Sequence, residues 1–119
     1  MGAQENLQLI DAWLAALDAH DLDRWAAMHT DDVVWHILPG EKTLPGHEMR
    51  AGITPFITEN PDIRFNKVTA FSQDEMACVE WTEIGPLTET GKLISYYFCG
   101  VMKIKSDKIT EVHLYGGIR

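Results

Sequence analysis

One carboxylate and three indoles carry the chemical promise of this chain. In the run Met76–Ile84 an extended backbone sends alternate side chains to opposite faces, and one face collects Ala77, Val79, Trp81 and Glu83. By composition that is the core face, so Glu83 is a carboxyl group set among apolar neighbours. The same parity puts Trp35 with Val33 and Ile37, Phe98 and Gly100 with Tyr96 and Met102, and Leu114 with Val112 and Gly116. Trp13 widens a helical stripe of Leu7, Ile10, Leu14 and Leu17, and Met28 and Phe56 join from other helical stretches.

Three readings of this group stand open. An apolar hollow with a single convergent polar group has the usual form of a small-ligand site. A carboxyl desolvated by indoles rises from about 4.3 towards neutrality, which suits a general acid or base acting on a polycyclic or terpenoid substrate. Alternatively, three indole faces and one negative charge hold a cation or amine. The third reading is packing alone, the indoles filling a core and Glu83 bonding a Trp N–H or meeting water near the turn at Gly85.

Other chemistry-bearing residues promise less. His20, His29 and His47 fall at helix ends or in loops and are expected at the surface. His36 and His113 face outward by parity. No histidine pair has the i, i+4 spacing of a helical zinc site, so no metal is expected. Cys78 and Cys99 have no C-x-x-C spacing, and Cys99 faces outward, so Cys99 is not expected to be a nucleophile. Without a Gly-rich phosphate loop, no nucleotide cofactor is expected.

The positioning elements are legible from periodicity and punctuation. A first helix breaks at Asp18-Ala19-His20, and Asp21 caps a second carrying Leu22, Trp25 and Met28. Thr30-Asp31-Asp32 stops it, and Val33–Leu38 is a short strand closed by Pro39-Gly40. After a loop with Pro45-Gly46, residues His47–Asn60 read as a helix with Met49, Ile53, Phe56 and Ile57 on one side. Pro55 predicts a kink or a restart capped by Thr54. Ile63–Phe71, Met76–Ile84, Leu93–Lys105 and Ile109–Tyr115 are aromatic and β-branched runs between short turns, hence an antiparallel meander. Helices first and sheet afterwards make an α+β fold, with residues 1–119 forming a single domain.

The strand Leu93–Lys105 is apolar on both sides, and helices can cover only one. A second copy on the outer face is expected, an isologous homodimer through Tyr97, Cys99, Val101, His113 and Tyr115; a moderately exposed outer face is the alternative. Eighteen acidic against ten basic residues, a net charge of −8, disfavour nucleic acid and anionic membrane as partners. No apolar run approaches the roughly 18 residues of a membrane span. With two cysteines and no recognisable signal segment, a reduced, cytoplasmic protein is expected.

Trp13-Leu-Ala-Ala-Leu17, His20-Asp-Leu-Asp23, Thr30-Asp-Asp-Val-Val-Trp-His36, Pro39-Gly40 and Gly100-Val-Met-Lys-Ile-Lys-Ser-Asp-Lys-Ile-Thr110 follow one another in an order that resembles the SnoaL-like branch of the nuclear transport factor 2-like superfamily. Ketosteroid isomerase and limonene epoxide hydrolase belong to that superfamily. The resemblance spans about Leu9 to Gly117. It implies a cone: a strongly curved antiparallel sheet packed on N-terminal helices, with a pocket between them.

The family's chemical residues carry over poorly. The isomerase's oxyanion tyrosine, base aspartate and protonated aspartate correspond to Trp13, Ile37 and Gly100. Of the epoxide hydrolase set, the arginine position is Trp81, the last aspartate is Leu114, and the water-holding pair is Trp35 and Ile37. One acidic position survives, as Glu83. No Asp lies between Lys108 and Arg119 to match the cyclases' acid/base. Gly100 and Gly116 leave space where relatives carry side chains. The resemblance therefore implies a cofactor-free isomerase, cyclase or hydrolase using Glu83 on a small, mostly apolar molecule. The alternative is a non-catalytic ligand-binding or dimerisation module that keeps the fold.

Overall fold

The computed structural model describes residues 2–118. Two helices, α1 (Ala3–Asp18) and α2 (Leu22–Ala26), precede β1 (His29–Leu38), β2 (Lys42–Pro45) and α3 (Gly46–Glu59); four long strands follow, β3 (Arg64–Gln73), β4 (Met76–Pro86), β5 (Leu93–Lys105) and β6 (Lys108–Ile118). The sheet is curved and open, ordered β2-β1-β6-β5-β4-β3. The α+β architecture and the β3–β6 meander are as the turn chemistry predicts.

Three features differ from expectation. Lys42–Pro45, read as a loop, is an edge strand antiparallel to β1. Four residues are too few for alternation to stand out from a turn. β1 begins at His29 rather than Val33 and pairs in parallel with β6, with a register shift between His29 and Val34. Asp31 and Asp32 are exposed on it, so their charge stays in water while their backbone joins the sheet. The third helix runs through Pro55 without a restart. Thr54 is no cap: its hydroxyl donates back to the Arg50 carbonyl at 2.7 Å. Ala51, whose carbonyl loses its partner to Pro55, is exposed, and water can satisfy it.

Burial follows the predicted parity along most of β4, where Ala77, Val79, Trp81 and Glu83 are buried and Glu80 is exposed, but Thr82 on the outer face is buried as well. Against this inner face α1 lays Ile10, Trp13, Leu14 and Leu17, all buried. Its end is tied down: Asp18 accepts from Arg64 Nε at 2.8 Å and from the Phe65 backbone N–H at 2.9 Å. Arg64 is the larger cause of a lowered Asp18 pKa. His20 turns left-handed at φ 60° and bonds the Ile63 carbonyl at 2.8 Å, closing the helix onto β3. Among the described residues no helix is long and apolar enough to cross a membrane.

Gly116 lets β6 bend over β5 at the shift between Tyr97 and Phe98. It sits at φ +112°, and a Cβ there would lie 2.2 Å from the Tyr97 carbonyl oxygen. Gly52, in α3, has open space around it. The two therefore respond oppositely to one added methyl. In urea denaturation Gly116→Ala should lose about 1–3 kcal/mol, whereas Gly52→Ala should gain about 0.5–1 kcal/mol. A neutral Gly116→Ala would show that the bend does not need glycine.

Candidate functional site

Between the helices and the concave sheet face lies a cavity of about 280 Å³, near the lower end of the roughly 300–1,000 Å³ usual for small-ligand sites. Trp13 of α1, Trp35 of β1 and Trp81 of β4 all line it, with Phe56, Phe98 and Leu114. Trp13 is the hub: its ring is 5.3 Å from Trp81 in an edge contact and 6.4 Å from Trp35 in a stacked one. Trp81 stacks in turn on Phe98 at 5.4 Å, the residue directly opposite on β5. These aromatic contacts hold the walls in place.

Glu83 lies in the same lining, two residues beyond Trp81 on one strand face, and is only 7% exposed. Among the described residues it is the one carboxylate on the wall. Its Oε2 accepts the Trp81 indole N–H at 3.1 Å. Burial pushes the carboxyl up from 4.5 to about 7, and the indole bond, which favours the charged form, opposes this only in part. The acid is thus buried against its indole rather than hydrated at the rim. Near neutrality it exchanges between proton donor and acceptor.

Not every expected lining residue is there. Met28 and Ile37 are half-buried against the core but do not line the cavity. Met28 is held by its backbone, whose carbonyl accepts from the Ile109 N–H at 2.9 Å. Gly100 leaves no open space: a Cβ there would come within 3.3 Å of the Trp81 ring and 3.2 Å of Met102 Cε, so Trp81 occupies the room. Gly116 faces solvent, and Gly117 lines the cavity instead, because the β5–β6 register shift reverses the parity beyond Phe98.

Sequence reasoning missed Leu17, Trp25, Met49, Ile53 and Tyr96 on the wall. Signals existed for most of them. Leu17 follows Trp13 by four residues, Met49, Ile53 and Phe56 form one helical stripe, and Tyr96 shares the Phe98 parity. Trp25 carried only a helical position.

His29 corrects the surface expectation. It is buried behind Trp13, whose indole N–H donates to its Nε2 at 3.1 Å. Its Nδ1–H then faces the Ala26 carbonyl at 3.3 Å, which assigns the tautomer. Burial pushes its pKa down to about 4, so the ring is neutral and fixes the tilt of Trp13. Outside the cavity, Cys99 Sγ is 3.6 Å from Cys78 Sγ. Burial, with the neighbouring thiol, pushes Cys99 up to about 11, unlike a reactive thiolate.

The fold has close structural counterparts. AclR from Streptomyces galilaeus, a proposed hydroxylase, superposes with a TM-score of 0.91 at 14% identity, covering 99% of this chain and 82% of its own. A proposed SnoaL-like polyketide cyclase from Jannaschia gives 0.82 at 10% identity, covering 96% and 86%. An LEH-like epoxide hydrolase from M. tuberculosis gives 0.76 at 19% identity, covering 96% and 84%. No curated protein matches the sequence. Residues 10–112 match the SnoaL-like domain. The chain belongs to the SnoaL-like domain family.

Proposed function

We propose that the cavity binds a small, mostly apolar, mono- or bicyclic molecule, and that Glu83 moves a proton on it. The observation that carries this reading is the Glu83 carboxyl, buried in an aromatic wall and held by the Trp81 N–H. As base, its carboxylate takes a proton from a carbon next to a ligand carbonyl, and the negative charge passes to the ligand oxygen. The hollow keeps the same net charge, which limits the electrostatic cost of the step in a poorly hydrated site. Returned to a different carbon, the proton completes an isomerisation. Epoxide-opening and cyclising relatives with this fold support small-ligand chemistry as the class.

A second reading, capture of an amine by the indole faces, is favoured by a relative from Catenulispora acidiphila. That protein has a ketosteroid isomerase-like fold and was solved in complex with trimethylamine, with a TM-score of 0.74 at 14% identity. We also assign the protein to the cytoplasm, on its cysteine usage, and its outer face to a homodimer. Tyr97 and Tyr115 are 57% and 45% exposed there, beside half-buried Cys99, Val101 and His113. Glu111 and Glu80 leave the patch mixed rather than purely apolar.

Incubating the protein with 2-tetralone in D2O and following α-deuterium uptake by mass spectrometry tests the proton transfer. Wild type should exceed buffer by about 10²–10⁴-fold, with the rate rising as pH passes about 7 and the carboxylate forms. Glu83→Gln should fall to the buffer rate while still quenching its tryptophans on binding the ketone. Buffer-rate exchange by a wild type that binds 2-tetralone would leave a binding protein only. If instead tetramethylammonium binds, more tightly above pH 7 than below, the amine reading gains.

For the assembly, Val101→Glu places a charge in the outer patch. By sedimentation it should convert a dimer to a monomer, and an unchanged mass would locate the interface elsewhere.

A further inference from the structure

The outer sheet face carries a cluster that the cavity does not use. β1 and β6 run side by side in parallel, and His36 is the register partner of His113, with Glu111 two residues earlier on the same face. The two imidazoles stack, centroids 4.4 Å apart at 25°. Glu111 Oε2 is 2.6 Å from His36 Nε2 and 3.8 Å from His113 Nε2. One donor atom from each residue lies within 4.8 Å of the others.

We propose that His36, Glu111 and His113 form a site for a divalent transition-metal ion, with zinc as its best-suited probe. Two imidazole nitrogens and one carboxylate oxygen are borderline donors of the kind that hold zinc at about 2.0–2.2 Å. Donors at that range sit somewhat over 3 Å from one another, so modest side-chain rotation closes the triad around an ion. The backbone needs no change, because adjacent strands already fix all three Cα positions. In the single chain the side chains are 29%, 27% and 34% exposed, open enough for an ion to enter and for water to complete the shell, so the site requires that the dimer assigned to this face leave His113 uncovered. The chain's net charge of −8 favours cation approach.

One group opposes the ion. Lys103 Nζ is 3.3 Å from Glu111 Oε1, leaving Oε2 to the metal and placing a positive charge nearby. The sequence expectation of no metal rested on i, i+4 spacing, a rule for one helix. It does not see donors 75 residues apart that strand pairing brings together.

Isothermal titration of chelator-stripped protein with zinc, with circular dichroism to confirm folding, tests the site. Wild type should take up one zinc per chain at micromolar metal. His36→Ala, Glu111→Gln and His113→Ala should each weaken binding by at least about ten-fold, since even indirect partners of metal ligands cost that much. Lys103→Met should tighten it, and the exposed control His47→Ala should leave it unchanged. Cobalt(II) should give visible ligand-field bands that the triad variants lose. No uptake, one zinc per two chains, or undiminished affinity in two of the three triad variants would overturn the proposal.

Discussion

A carboxyl group taken out of water and left beside an indole is costly to charge, and the rest of the cavity is arranged around that fact. Among the described residues Glu83 reaches only the Trp81 N–H, a bond that recovers part of the lost hydration. Because the folded protein raises this acid from 4.5 to about 7, it binds the Glu83 proton more tightly than the unfolded chain does. The linkage sign follows: folding is not penalised below about 4.5, loses stability as pH rises towards about 7, and loses no more above it. At 1.36 kcal/mol per pH unit the loss is about 3 kcal/mol. A chain this size has stability of about 5–15 kcal/mol to draw on, so the burden is tolerable but large. Replacing Glu83 by a neutral isostere removes it.

The aromatic wall makes that burial possible. Trp13 is held from behind by neutral His29, pinned from below by the Asp18–Phe65 and His20–Ile63 ties, and meets Trp81 edge-on. Trp81 fills the space over Gly100, where any side chain would press on its ring. Most of the polar atoms in this assembly are spoken for by the protein. Among the described residues the buried Trp25 indole N–H finds no acceptor.

Alternation along β4 was enough to put Glu83 on the inner face, because a long strand with one buried face has little freedom of register, but it left open whether the nearby turn at Gly85 exposes the carboxylate to water. The meander was equally legible from its turns. Parity failed in β6, where a register shift beyond Phe98 exchanges Gly116 for Gly117; such irregularities leave only a glycine pair in the sequence. His29 was misread because its position after a helix resembles a loop, while its partner Trp13 lies 16 residues away. The parallel pairing of β1 with β6 joins distant segments, and no local pattern encodes it. Strand pairing alone brought His36 and His113 together, and helix closure alone brought Met49 and Ile53 to the same wall as Trp81.

The most direct measurement is a carbon-13 NMR titration of the Glu83 side-chain carboxyl in protein labelled at glutamate Cδ, assigned by its absence from the Glu83→Gln variant. A midpoint close to 7, well separated from the exposed glutamates, is the result a dry, indole-bonded acid requires. A midpoint near 4.5 would mean that water reaches the carboxylate freely, and the acid/base role built on its burial would be contradicted.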